Sequence, residues 1–179
     1  ILLIEDSPRM YSVLLPLIYK EIMFQTKNLM NRTLSQSQRL LHLRARPKIL
    51  LTPNYETAQK FFKKYKSNMI GIISDIRFLK NGAKEPEAGL EFVKWVKKLD
   101  PSIPILLQST QIENQSKAKK VIADFLHKDS PTLLNDLRDF MVNNFGFGDF
   151  IFRLPDKSQV GSASNIEELN KELENIPIE

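Results

Sequence analysis

Ile70-Gly71-Ile72-Ile73-Ser74-Asp75 is a short apolar, β-branched run that closes on a carboxylate. Such a run between charged flanks reads as a buried strand of a parallel sheet. In open α/β sheets, ligands bind in the crevice outside the carboxyl ends of the strands. Asp75 is therefore expected where such a fold does its chemistry. Three other strand-like runs end on polar residues too. Ile1-Leu2-Leu3-Ile4 leads into Glu5 and Asp6, Ile103 to Gln108 into Ser109 and Thr110, and Ala123 to His127 into Lys128. A fifth strand is expected over Lys48-Ile49-Leu50-Leu51-Thr52.

Between these strands the apolar residues recur at helical spacing. Ser7 and Pro8 suit the cap and first position of a helix carrying Tyr11, Leu14, Leu15, Ile18 and Ile22, with a kink expected at Pro16. Further helices are expected over Tyr55 to Tyr65, Leu90 to Leu99, Glu113 to Ile122 and from Ser130-Pro131 through Met141. The helix from Glu113 has few apolar residues, so few buried contacts are expected for it. Strands alternating with helices imply an α/β fold, a doubly wound five-stranded parallel sheet. Residues 24–46 read as a helical insertion, basic at Lys27, Arg32, Arg39, Arg44 and Arg46. Arg77 to Gly89 reads as a long loop beside Asp75, a common place for function. Past Phe145 the chain turns aromatic and glycine-rich, and a small hairpin followed by a helix over Asn165 to Ile176 is expected. The division is thus 1–144 as the main domain and 145–179 as an extension leading to a downstream region.

Composition narrows the function. The 179 residues are 42% hydrophobic and 26% charged, an ordinary globular balance. With no Cys, disulfides and thiolate metal sites are excluded, and two His argue against a His-based zinc site. No apolar run approaches the roughly 20 residues of a membrane helix, and the opening strand is too short and too soon acidic for a signal peptide. A cytoplasmic location is expected. The chain begins without Met inside a strand, and a fragment of a longer protein is expected. The net charge of +5 is ascribed to a solvated surface. Nucleic-acid binding through the insertion is not expected, because no aromatic residues interleave with the basic ones and helix-turn-helix punctuation is missing.

One rim would thus collect Glu5, Asp6, Asp75, Ser109 and Lys128. In order and spacing, this set resembles the receiver domain of two-component response regulators, over about Ile1 to Phe145. The resemblance implies the flavodoxin-like, CheY-like strand order 2-1-3-4-5. It implies that Asp75 accepts a phosphoryl group and that Mg²⁺ is held by Glu5, Asp6, Asp75 and the backbone carbonyl of Arg77. It implies that Lys128 pairs with the phosphoryl oxygens, that Ser109 is the hydroxyl that swings toward them, and that Phe125 is the aromatic that repositions with it. The partners implied are a sensor histidine kinase or phosphotransfer protein and an output region of the same chain, with homodimerisation left open. The only catalysis expected is of the domain's own phosphorylation and dephosphorylation. Asp129 and Thr110 depart from the family, which commonly has Pro and a small Ala there. A pseudo-receiver that binds partners without phosphorylation is the main alternative. A haloacid-dehalogenase-like phosphatase is disfavoured, since that family needs a second Asp where this chain has Arg77.

Overall fold

A computed structural model describes residues 1–32, 47–145, 150–153, 159–163 and 166–175. Five parallel strands form the central sheet: β1 (Leu2–Ile4), β2 (Leu50–Thr52), β3 (Ile72–Asp75), β6 (Ile105–Ser109) and β7 (Asp124–His127). Their order is β2-β1-β3-β6-β7, and each pairing is parallel. This is the doubly wound sheet expected from the alternation of strands and helices. The winding reverses between β1 and β3, so the crevice for a ligand opens beyond Ile4 and Asp75.

Alternation along the strands builds two cores. Leu2, Ile4, Ile72, Ile105 and Leu107 face one side, where α2 (Tyr55–Tyr65) and α3 (Ala88–Leu99) bring Phe62, Phe92, Val93 and Val96. Leu3, Ile73, Leu106 and Leu126 face the other, where α1 (Pro8–Arg32) and α5 (Leu133–Asn144) bring Leu14, Ile18, Leu137 and Met141. Burial on both faces explains why the strands read as continuous apolar runs. Phe145 also packs into the second core, edge-on to Phe140 with ring centroids 5.2 Å apart. Gly71 makes room for that ring, since a Cβ there would lie 1.9 Å from Phe145 Cε1.

Helix α1 runs on across Pro16 and past Phe24 to Arg32, as the helical reading of the insertion implies, and residues 33–46 lie outside the described residues. Two other boundaries differ from the sequence reading. Helix α4 spans only Asn114–Lys120, with Asn114 and Ala118 its buried residues. Ile122 just beyond it has φ 58°, a left-handed conformation that cannot continue a helix. Helix α5 starts at Leu133 rather than at Pro131, because Ser130 instead folds a local turn with its Oγ accepting from the Thr132 N–H at 3.2 Å.

The largest difference lies after Asp75. The stretch read as a long loop is a β-hairpin, β4 (Phe78–Lys80) against β5 (Ala83–Glu85). Asn81 and Gly82 form its two-residue turn with φ of 50° and 80°, the left-handed pair a tight hairpin needs. Strand β4 is rooted in the core: Phe78 is fully buried and stacks on Tyr55. Lys80 pairs with Glu91 of α3, and the Asn81 N–H donates to Glu56 of α2 at 2.8 Å. Strand β5 is exposed along its length.

At the C-terminal end, β8 (Phe150–Arg153) pairs antiparallel with β9 (Gln159–Ala163), and α6 (Ile166–Asn175) follows. The Phe145 to Asp149 link lies outside the described residues beyond Phe145 itself. Among the described residues, no helix is long and apolar enough to cross a membrane.

Candidate functional site

The carboxyl ends of β1, β3, β6 and β7 open into one cleft of about 400 Å³. Glu5, Asp6, Asp75, Arg77, Ser109 and Lys128 all line it. Residues more than 100 positions apart meet there because parallel strands deliver every strand end to the same rim. Phe125 does not line it: half-buried on β7, it packs against the first core.

Lys128 is the centre of the charge arrangement. Its N–H donates to the Ser109 carbonyl at 2.9 Å, which fixes the turn after β7 against the end of β6. Its ammonium donates to Glu5 Oε2 at 2.7 Å and to Asp75 Oδ2 at 2.8 Å. The Glu5 side chain is fully buried and that of Lys128 is 5% exposed. Burial pushes the Glu5 carboxyl above its ordinary range, the Asp75 charge pushes the same way, and Lys128 opposes both. Both Glu5 oxygens are engaged, since Oε1 accepts from the Ser7 N–H at 3.1 Å and Oε2 also accepts from Gln108 Nε2 at 3.1 Å.

Asp75 is held at both oxygens. Its Oδ1 accepts from the Ile76 N–H at 2.7 Å, while Oδ2 faces Lys128. The backbone around it is fixed by Gly89 at the start of α3, whose N–H donates to the Ile76 carbonyl at 2.9 Å. A Cβ at Gly89 would lie 2.3 Å from the Asp75 carbonyl oxygen, so only glycine permits this approach. The Ser109 oxygen accepts from the Gln111 N–H at 3.1 Å and from Asn114 Nδ2 at 3.0 Å. Its own proton remains available for donation. Thr110 also lines the cleft, its carbonyl oxygen 2.9 Å from His127 Nε2.

Whether the residues fit a divalent cation turns on their oxygens. Glu5, Asp6 and Asp75 each offer a carboxylate oxygen, all within 4.8 Å of one another. Asp6 Oδ2 is buried and accepts no hydrogen bond, and neither does Gln108 Oε1. Buried polar atoms are rarely left so. A hard cation with oxygen ligands and retained waters suits such a set. The residues therefore fit, and Asp6 Oδ2 is the carboxylate oxygen of the three residues that accepts no hydrogen bond.

Three residues of this site were not read from the sequence. Gln108 is read only as the last residue of a strand run. Asn114 and Lys84 fell in segments read only as a weak helix and a loop. The Lys84 ammonium lies 3.0 Å from Asp6 Oδ2 and donates to Oδ1 at 3.3 Å. The signal for it was Asn81-Gly82, a dipeptide that turns hairpins.

No family model matches the chain, and no curated protein does. Solved structures do. A response regulator receiver domain protein from Clostridium thermocellum superposes with a TM-score of 0.55 at 16% identity, covering 81% of this chain and 92% of its own. The chain has the receiver-domain fold. The phosphorylated cyanobacterial phytochrome response regulator RcpA superposes with a TM-score of 0.51 at 12% identity, covering 89% of this chain and 96% of its own. At these identities the receiver likeness is one of backbone. The rim described above is this chain's own.

Proposed function

We propose that the chain is a phosphoacceptor receiver domain of a two-component response regulator, modified on Asp75. The observation that carries this reading is the pairing of Asp75 Oδ2 with Lys128 at 2.8 Å, in a cleft that also gathers Asp6, Glu5 and Ser109. A carboxylate oxygen of Asp75 attacks the phosphorus of a phosphohistidine or acyl phosphate. The bond to the donor's nitrogen or oxygen breaks, and the leaving group departs with the electron pair. An aspartyl phosphate remains.

Such a transfer depends on positioning and charge neutralisation more than on covalent help. Ile76 and Gly89 hold the Asp75 backbone, and the Ile76 N–H orients its carboxylate. Lys128 neutralises the nucleophile beforehand and the phosphoryl oxygens afterwards. Mg²⁺ held by Asp6, Asp75 and the Arg77 carbonyl, with Glu5 behind them, would supply further neutralisation of the phosphoryl oxygens. Ser109 swings to donate its free proton to a phosphoryl oxygen, and the displacement of its Oγ loosens the hydrogen bonds it accepts from Gln111 and Asn114 and so moves the start of α4. Phosphorylation works through such local changes in charge. Phe125 adjusts on β7 next to Leu107, its register partner. The partners proposed are a histidine kinase or phosphotransfer protein that donates, and an output region that reads the changed surface. The 145–179 segment is proposed as the link to that region.

One observation favours the pseudo-receiver reading: Lys84 already sits on Asp6. Fluorine NMR with beryllofluoride, a phosphoryl mimic, separates the two. A Mg²⁺-dependent bound signal in wild type that is lost in Asp75→Asn is expected. A folded protein with no bound signal at any Mg²⁺ concentration would sink the phosphoacceptor reading in favour of the pseudo-receiver.

A further inference from the structure

The charges of the cleft divide into two groups. Lys128 serves Glu5 and Asp75 from within the buried rim. It leaves Asp6 to Lys84, which arrives from the exposed strand of the hairpin. The Asp6 side chain is 3% exposed, whereas that of Lys84 is 51% exposed. The hairpin crosses to the other side of the cleft as well: Glu87, just past β5, pairs with Lys117 of α4 at 2.6 Å. Lys84 stands opposite Leu79 in the hairpin register, so its place depends on the Asn81-Gly82 turn and on the rooting of β4.

We propose that Lys84 is a built-in competitor for the cation site, its ammonium and a divalent cation contending for the same Asp6 carboxylate. The inference rests on the cation site of the phosphoacceptor reading and adds to it a residue that sets its affinity. Three observations support it. Lys84 donates to Asp6 Oδ1 at 3.3 Å and lies 3.0 Å from the buried Oδ2, which accepts no hydrogen bond, so the contact answers the charge and leaves Oδ2 open to a cation. That carboxylate is one of the three clustered within 4.8 Å. And the Lys84 side chain is 51% exposed, so its ammonium has a route to water. An ammonium and a hydrated dication cannot both lie against one carboxylate without repulsion. Cation binding therefore includes the cost of displacing Lys84.

Isothermal titration calorimetry with Mg²⁺ tests this on wild type, Lys84→Gln, Lys84→Arg and Lys117→Gln, with folding checked by circular dichroism. Lys84→Gln is expected to bind Mg²⁺ about fivefold more tightly, the scale of a half-exposed ion pair. Lys84→Arg keeps the charge and should stay close to wild type. Lys117→Gln removes a nearby α4 charge that pairs with Glu87 rather than Asp6, and should also stay close. Equal or weaker binding by Lys84→Gln, with wild type binding normally, would overturn the competition and leave the cation site standing. Equal tightening by Lys117→Gln would also overturn it, in favour of a general charge effect. No Mg²⁺ binding by any of the proteins would overturn both the competition and the cation site.

Discussion

Two lysines reach the same cleft from opposite kinds of structure. Lys128 follows a central strand and is buried with Glu5 and Asp75, whereas Lys84 rides on an exposed hairpin and touches only the edge of the acidic group. Both make ion pairs near 3 Å. Their consequences differ because of where water is. Removing Lys128 leaves a carboxylate with no exposed partner uncompensated, while Lys84 is half-exposed, so water or a cation can take its place at Asp6 and its own contribution is small. On the proposed reading, the chemistry lies on the sheet and its adjustment on the hairpin.

The strongest challenge to that contrast is Lys128→Ala. It strands the buried Glu5 carboxylate and should lower stability by about 3 kcal/mol in urea unfolding. Adding Glu5→Gln should recover part of the loss. A loss no larger than that of an exposed pair would erase the distinction. Next in size is Gly89→Ala, whose Cβ would meet the Asp75 carbonyl at 2.3 Å. A loss of about 1–3 kcal/mol is expected for forcing helix α3 off the strand end, with shifted amide resonances at Asp75 and Ile76.

Gly82→Ala acts on the hairpin alone. Its φ of 80° strains any side chain, by about 1–2 kcal/mol. The expected readout is faster amide exchange in β4 and β5 with the sheet unaffected. Smallest is Lys84→Gln, expected to change stability by less than about 1 kcal/mol. A larger loss would mean that the hairpin contact is structural rather than adjustable.

The contrast also explains what could be read from the sequence. The sheet was legible because strands buried on both faces leave unbroken apolar runs, as at Ile72 and Ile73. The rim was legible because parallel strands bring their ends together, which made neighbours of Glu5, Asp75 and Lys128 before any distance was known. Strand β5 left no such trace. Ala83-Lys84-Glu85 is wholly exposed, so no alternation of apolar residues marks it. Only its Asn-Gly turn was informative. The pairing of Lys84 with Asp6 depends on hairpin register and twist, which no local pattern encodes. Asn114 was hidden for a related reason: its role is a hydrogen bond to Ser109 across a turn, and polar residues at a helix start usually serve the helix itself.

The central claim is that Asp75 accepts a phosphoryl group. Its most direct test is the intact mass after incubation with acetyl phosphate, with and without Mg²⁺, for wild type and Asp75→Asn. The predicted result is the gain of one phosphoryl group by wild type, dependent on Mg²⁺ and absent in the variant. A wild-type mass that stays unchanged in the folded protein, or a gain that persists in Asp75→Asn, would contradict it.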